Sequence, residues 1–227
     1  MFKKLSNQAH AEFDLCADGP VLISSGRSNK TNPTLPDNTF ITGYNIIYDS
    51  GEKKRFENYL IPGSTIKGVI RHYINEQLAY PDEDTEKLFG KITNGAQKSK
   101  VKFNDAFAVP ETIVTATRHS TAIDPFLQTA KKGTLNNMEV VEKGVFKASF
   151  TVKNFSSVEM EKLLLAIFDI NTGAVRFGGK RSRGFGQMKV ENFKLNLFDG
   201  YNENFEKIKE RNFTDIEEAV KYLLGVK

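Results

Sequence analysis

An α+β, ferredoxin-like (RRM-like) fold of order βαββαβ is expected from this sequence, on three observations. Residues 144–152 alternate strictly, with Phe146, Ala148, Phe150 and Val152 on one side, the two-residue period of a half-buried strand. Ile66, Val69, Ile70, Tyr73, Ile74 and Leu78 fall at helical spacing after Ser64, and Met160, Leu163, Leu164, Ile167 and Phe168 do so after Ser156. A last alternating stretch, 187–197, carries Met188, Val190, Phe193, Leu195 and Leu197. With long insertions between them, these elements make one sheet covered on one side by two helices.

The remaining elements follow in order. Residues 12–17 read as a strand, Gly19-Pro20 as a turn, and 21–23 as a second extended piece. Residues 24–38 are rich in Ser, Gly, Asn, Thr, Pro and Asp and read as a long polar loop, and 49–58 as a solvated turn between short strands. Ser64 stands where an N-cap is expected for the first helix. Residues 82–90 suit a short helix stopped by Gly90, 91–102 a basic connection, and 101–103 a strand. A hairpin-rich insertion spans 107–133, a short strand 174–177, and Thr214 with Glu217 forms a capping box before a C-terminal amphipathic helix. The chain is read as one domain, 1–227. Its core is 10–24, 60–107 and 144–197, its insertions 25–59 and 108–143, and its last helix 214–225.

Composition narrows the partners. The chain has 227 residues, 39% of them apolar and 26% charged, with a net charge of +4. This mild basicity suits a phosphate-rich partner only where the cations are focused. A lone cysteine, Cys16, excludes a disulfide framework and a thiolate zinc site built from this chain. No leader pattern and no run of about 18 apolar residues occurs, so no membrane contact and a cytoplasmic setting are expected.

The cations are focused in one stretch. Gly178-Gly179-Lys180-Arg181-Ser182-Arg183-Gly184-Phe185-Gly186 sets three cations among four glycines, so backbone and charge can both approach a phosphate. A strand rather than a helix follows, unlike a dinucleotide or P-loop cradle. Lys67 and Arg71, four apart beside Ser64 at the first helix start, form a second anion-binding candidate, or else an ordinary capped helix with two solvated cations. Arg183-Gly184-Phe185-Gly186 matches the start of an RNA-recognition strand signature, but Gln187 and Met188 break it. Glu159/Glu161 and Glu217/Glu218 read as solvated helix faces.

Three stretches together resemble the RAMP proteins, the repeat-associated family that builds type III CRISPR effector complexes. They are Leu60-Ile61-Pro62-Gly63-Ser64-Thr65-Ile66-Lys67-Gly68-Val69-Ile70-Arg71, Val101-Lys102-Phe103-Asn104-Asp105-Ala106, and the glycine loop. Within the family the chain is most similar to the repeated backbone subunit, because Pro33-Thr34-Leu35-Pro36-Asp37 precedes the helix. Thr121-Ala122-Ile123-Asp124, with Gly133-Thr134-Leu135 and Glu139, resembles the family's thumb.

The resemblance implies a ferredoxin-like palm, a thumb hairpin and stacking of copies along a guide RNA beside other effector subunits. It carries guide-backbone contact to Ser64, Lys67, Arg71, Gly178, Gly179, Lys180, Arg181 and Arg183. It also implies metal-dependent cleavage of the guide-paired target RNA, with Asp37 as catalytic residue and ligand of a divalent ion, Mg²⁺ or Mn²⁺. Asp37 has no acidic neighbour nearer than Asp49, so other ligands must come from elsewhere. Its Pro-Asp-Asn setting is also ordinary turn chemistry. His119, Asp124, Phe126 and Leu127 are assigned to the thumb and the target strand; Phe126, Leu127, Leu135 and Met138 either wedge between bases or form a small satellite core. Two alternatives stand beside this reading: a catalytically inactive or stand-alone RNA-binding scaffold, and a guide-precursor nuclease using His10, His72 or His119 as acid and base. No spacing joins those histidines, so each reads as a surface or RNA-contact residue.

Overall fold

The computed structural model describes residues 5–28, 35–49, 52–91, 95–201 and 206–225. Its strands are β1 (Gln8–Val21), β2 (Ser24–Ser28), β3 (Asn38–Phe40), β4 (Thr42–Asp49), β5 (Glu52–Ile61), β6 (Val101–Phe103), β7 (Ala106–Ala108), β8 (Val114–Ser120), β9 (Asn136–Lys153), β10 (Met188–Phe198) and β11 (Arg211–Phe213). Its α-helices are α1 (Gly63–Glu76), α2 (Asp82–Phe89), α3 (Ser157–Phe168) and α4 (Ile216–Leu224). None of the described helices is long and apolar enough to cross a membrane.

The core follows the expected order. β1 lies between β10 and β9, antiparallel to both, and β6 and β7 pair with the far edge of β9. In the terms of a βαββαβ unit the sheet order is fourth, first, third, second, with α1 and α3 as its crossovers: the fold is α+β and ferredoxin-like. Alternation decides which face is covered. Ala9, Ala11, Phe13 and Leu15 of β1 join Phe146, Ala148, Phe150 and Val152 of β9 under Ile66, Ile70 and Ile74 of α1 and Met160, Leu163, Leu164 and Ile167 of α3. Phe150 is the hinge of this layer, with Phe103 at 5.3 Å and Phe13 at 6.3 Å between ring centroids.

The opposite face is polar. Asp14 is buried beneath Lys147 and Asn192, at 2.8 and 2.8 Å, His10 meets Thr151, and Asn104 donates to Ser149. None of the exposed large apolar side chains described belongs to β1 or β10 or to the palm half of β9. This sheet therefore offers no aromatic platform for base stacking, consistent with the broken strand signature.

Several elements differ from the sequence reading. Gly19-Pro20 makes no turn; it sits in a register shift near the end of one long strand, β1. The 24–38 stretch is not all loop, since β2 pairs with β3; residues 29–34 lie outside the described residues. In place of a turn at 49–58, β4 and β5 form a hairpin with eight paired positions from Thr42↔Tyr59 to Asp49↔Glu52. Residues 174–177 form no strand, although Val175 and Phe177 are buried. Ser64 is not the N-cap of α1. Pro62 holds that position, and the Asp105 carboxylate accepts the Gly63 N–H at 2.8 Å. Thr214 likewise yields to Asp215, which accepts from Glu217 and Glu218 N–H groups at the start of α4. Glu159 is not solvated: it closes a capping box with Ser156 and takes Lys100 Nζ at 2.7 Å while buried.

Candidate nucleic-acid interface

The glycine loop is built by close backbone approaches. Gly178 has φ +76, and a Cβ there would lie 2.1 Å from the Leu22 carbonyl oxygen. Gly186 has φ +85, and a Cβ would lie 2.1 Å from that of Phe177. Gly179 N–H donates to Leu22 O and Gly186 N–H to Pro20 O, both at 2.9 Å, so the loop is fastened to the end of β1. Between these anchors Lys180 adopts a left-handed conformation and Arg181–Arg183 forms a single 3₁₀ turn. Arg181 and Arg183 are exposed, whereas Phe185 packs into a satellite cluster with Leu22, Met138 and Val140.

Lys180 ties this loop to the thumb. Its Nζ donates to Ser120 Oγ at 2.9 Å, at the end of β8. Burial and the neighbouring Arg183 hold its pKa below the ordinary lysine value. Asp37 reaches the same region from the other edge of β9: its Oδ2 accepts the Asn137 N–H at 2.8 Å, and Asn38, next in sequence, pairs with Met138. His119 stands opposite Asn137 on β8, with Nδ1 2.7 Å from Asn137 Oδ1. Glu139 closes the group, accepting Phe40 N–H at 3.0 Å and Tyr59 O–H at 2.9 Å. Burial and then Glu139 push the Tyr59 phenol up to about 12.

The second predicted cluster lies elsewhere. Ser64, Lys67 and Arg71 border a cleft of about 530 Å³ between α1 and α2, with Gly90, Lys91, Gln97 and Ser99 among the facing residues. Lys67 Nζ donates to Ser99 Oγ at 2.9 Å, and burial followed by Arg71 lowers its pKa. The start of α1 sits beside Ser149 through Asp105 and Asn104, while the glycine loop sits beside Leu22, next to the Val21↔Val141 pair. From 141 to 149 is eight residues of strand, roughly 26 Å at about 3.3 Å per residue. The two cation clusters are therefore separate stations on one molecule.

The thumb tip is a third place. Asp124 Oδ1 accepts the N–H groups of Leu127 and Phe126, bonds that lower its pKa and set the turn. Phe126 is 93% exposed and Leu127 73%. They do not form a satellite core; Met138 does, and it is buried.

Asp37 alone makes no cation site. One carboxylate oxygen is engaged by Asn137, and among the described residues no group of three His, Cys, Asp or Glu side chains converges. Divalent Mg²⁺ or Mn²⁺ calls for several oxygen ligands, which these side chains do not supply by themselves. Asn137, Glu139, Ser120 and Asp105, to none of which the sequence reading gave a role of its own, are the residues that join the predicted ones. Only the pairing register brings them together.

A family model described as the RAMP superfamily matches residues 17–189, which run from the end of β1 through α1, the thumb, β9, α3 and the glycine loop to the start of β10. The chain belongs to the RAMP superfamily. Among curated proteins it is similar to the CRISPR system CMR subunit Cmr6 of Saccharolobus solfataricus, 38% identical over 66 residues. That match covers 27% of this chain and 21% of the relative, so it spans about a fifth of that protein's length. In this RAMP protein the glycine loop and the Ile61-Pro62-Gly63 turn are both points of tight backbone contact. A Cβ on Gly63 would lie 2.5 Å from Phe103 O, and Asp105 caps the same residue, so two of the family-like stretches form one joint.

Proposed function

We propose that this chain is an RNA-binding subunit of a type III CRISPR effector complex. It holds the guide RNA beside other effector subunits and copies of itself, and supports endonucleolytic cutting of the paired target at Asp37. Membership in the RAMP superfamily and similarity to a CRISPR system CMR subunit support the complex. One observation carries the reading: Asp37 and His119 both bond to Asn137 at the base of the thumb, and Lys180, on the loop that also carries Arg181 and Arg183, bonds to the next thumb residue, Ser120, on the other face of the ribbon. Cations on a fixed loop hold a sugar–phosphate backbone without reading its sequence, as a guide of arbitrary sequence requires. The polar open face leaves base stacking to other surfaces, of which the exposed Phe126 and Leu127 are the best placed.

The test begins with the native particle. Purification of the tagged protein from its host should yield a multisubunit assembly containing RNA of discrete lengths. A protein recovered alone and without RNA refutes the assignment. Asp37→Ala in the assembled particle is expected to retain guide RNA and lose target cutting; undiminished cutting leaves a binding scaffold only.

A further inference from the structure

Three histidines occur in the chain, and their surroundings differ in kind. His10 has both ring nitrogens engaged, Nδ1 with Thr151 Oγ1 and Nε2 with Glu12 Oε1, each at 3.2 Å. His72 lies on the exposed flank of α1, 4.0 Å from Glu76. His119 is exposed at the thumb base, and its Nδ1 faces an acceptor, the Asn137 side-chain oxygen, at 2.7 Å. An acceptor at Nδ1 places the ring hydrogen there and leaves Nε2 with the lone pair. Asn137 is in turn fixed by its own N–H, which donates to Asp37.

We infer that His119 Nε2 is the general base for target-RNA cutting, that Asn137 orients it, and that Asp37 acts as a positioning residue by holding Asn137. This rests on the cutting reading given above. The order carboxylate, amide, imidazole has the same logic as a nucleophile-activating triad: the outer groups fix the tautomer and the ring angle, and the ring moves the proton. The groups around His119 on the packed elements are Asp37 beyond Asn137, Glu139 two residues along β9, Arg118 with its partner Glu142, and Lys180 on the adjoining Ser120. Glu139 is already committed to Phe40 and Tyr59 and one oxygen of Asp37 to Asn137, whereas the exposed imidazole, bonded through Nδ1, keeps its Nε2 lone pair for proton transfer.

The step balances without a co-reactant. His119 Nε2 takes the proton of a ribose 2′-OH. That oxygen bonds to the adjacent phosphorus as the bond from phosphorus to the 5′ oxygen breaks. The 5′ oxygen receives a proton from the imidazolium or from water, leaving a 2′,3′-cyclic phosphate and a 5′-OH.

The experiment uses the assembled, guide-loaded complex with a labelled complementary RNA. His119→Gln, which keeps polarity but does not titrate, is expected to lower the cutting rate about a hundredfold or more, with guide RNA retained. Asp37→Asn keeps an acceptor for the Asn137 N–H and is expected to cut within about tenfold of the parent, whereas Asp37→Ala loses cutting. A His119→Gln complex cutting within about twofold of the parent, or Asp37→Asn as inactive as Asp37→Ala, overturns this assignment and leaves the cutting reading intact. No cutting by the unsubstituted complex overturns both.

Discussion

Replacing Arg181 and Arg183 together by Ala should flatten the salt dependence of RNA binding while leaving the fold intact. Both side chains are exposed, and the loop that carries them is shaped by Gly178 and Gly186 and their bonds to β1 rather than by the guanidinium groups. Each phosphate contact to a single strand releases counterions worth about 0.7 in the slope of log affinity against log salt. Loss of two contacts therefore lowers the slope by about 1.4. Across a fourfold change in salt, from about 50 to 200 mM, the variant's deficit relative to the parent should shrink about sevenfold. Fluorescence anisotropy with a single-stranded RNA of about 20 nucleotides, titrated at several salt concentrations, measures it directly. A folded variant with an unchanged slope would mean that these arginines do not touch phosphate, and the reasoning built on the loop would fall.

Gly186→Ala should cost about 2 kcal/mol or more in urea unfolding, because the residue holds φ +85 and its Cβ would meet a backbone oxygen at 2.1 Å; an unchanged midpoint would contradict that geometry. Cys16 is pushed up to about 11 by burial, with Glu191 and Asp14 adding to it, so at pH 8.5 the folded thiol should react with iodoacetamide about a hundredfold more slowly than in the urea-unfolded chain. Lys180 has a folded pKa lowered by burial and Arg183, so between its folded and unfolded values the unfolded chain binds more protons and that group's contribution to stability rises with pH. Bound phosphate favours the charged amine, so RNA affinity should fall between pH 7 and 9.5 in the parent, and less so in Lys180→Arg; equal losses would exclude this lysine from the contact.

What the sequence made legible was periodic. Ile66, Ile70 and Ile74 marked the buried stripe of α1, and Phe146, Ala148 and Phe150 the covered face of β9, because each signal is contained within a few residues. What it hid was long-range. Asp105 caps Gly63 from 42 positions away, and no local pattern distinguishes that carboxylate from a turn residue, so the nearby Ser64 took its place in the reading. Glu159 looked like helix solvation because its partner Lys100 is 59 positions distant. The same holds for the thumb base. Asp37 was singled out by likeness to a family, but its bond to Asn137 spans 100 positions, and Asn137 has nothing in its neighbours to mark it. The β-hairpin of β4 and β5 was missed for a different reason: Lys53, Lys54 and Arg55 on an exposed strand read as a solvated turn.

β9 bonds to β1, β3, β6, β7 and β8, and four of these five stretches end before residue 109. During synthesis all five partners leave the ribosome before the strand that unites them. Until β9 emerges, only pairings such as β2 with β3, β4 with β5 and β5 with β7 are available, and β1 waits with both edges open. Long-range pairing of this kind is slow, and unpaired edges invite contact with other chains. A nascent chain paused near residue 135 is thus the most aggregation-prone form this protein passes through, and the arrival of about twenty residues ends that vulnerability.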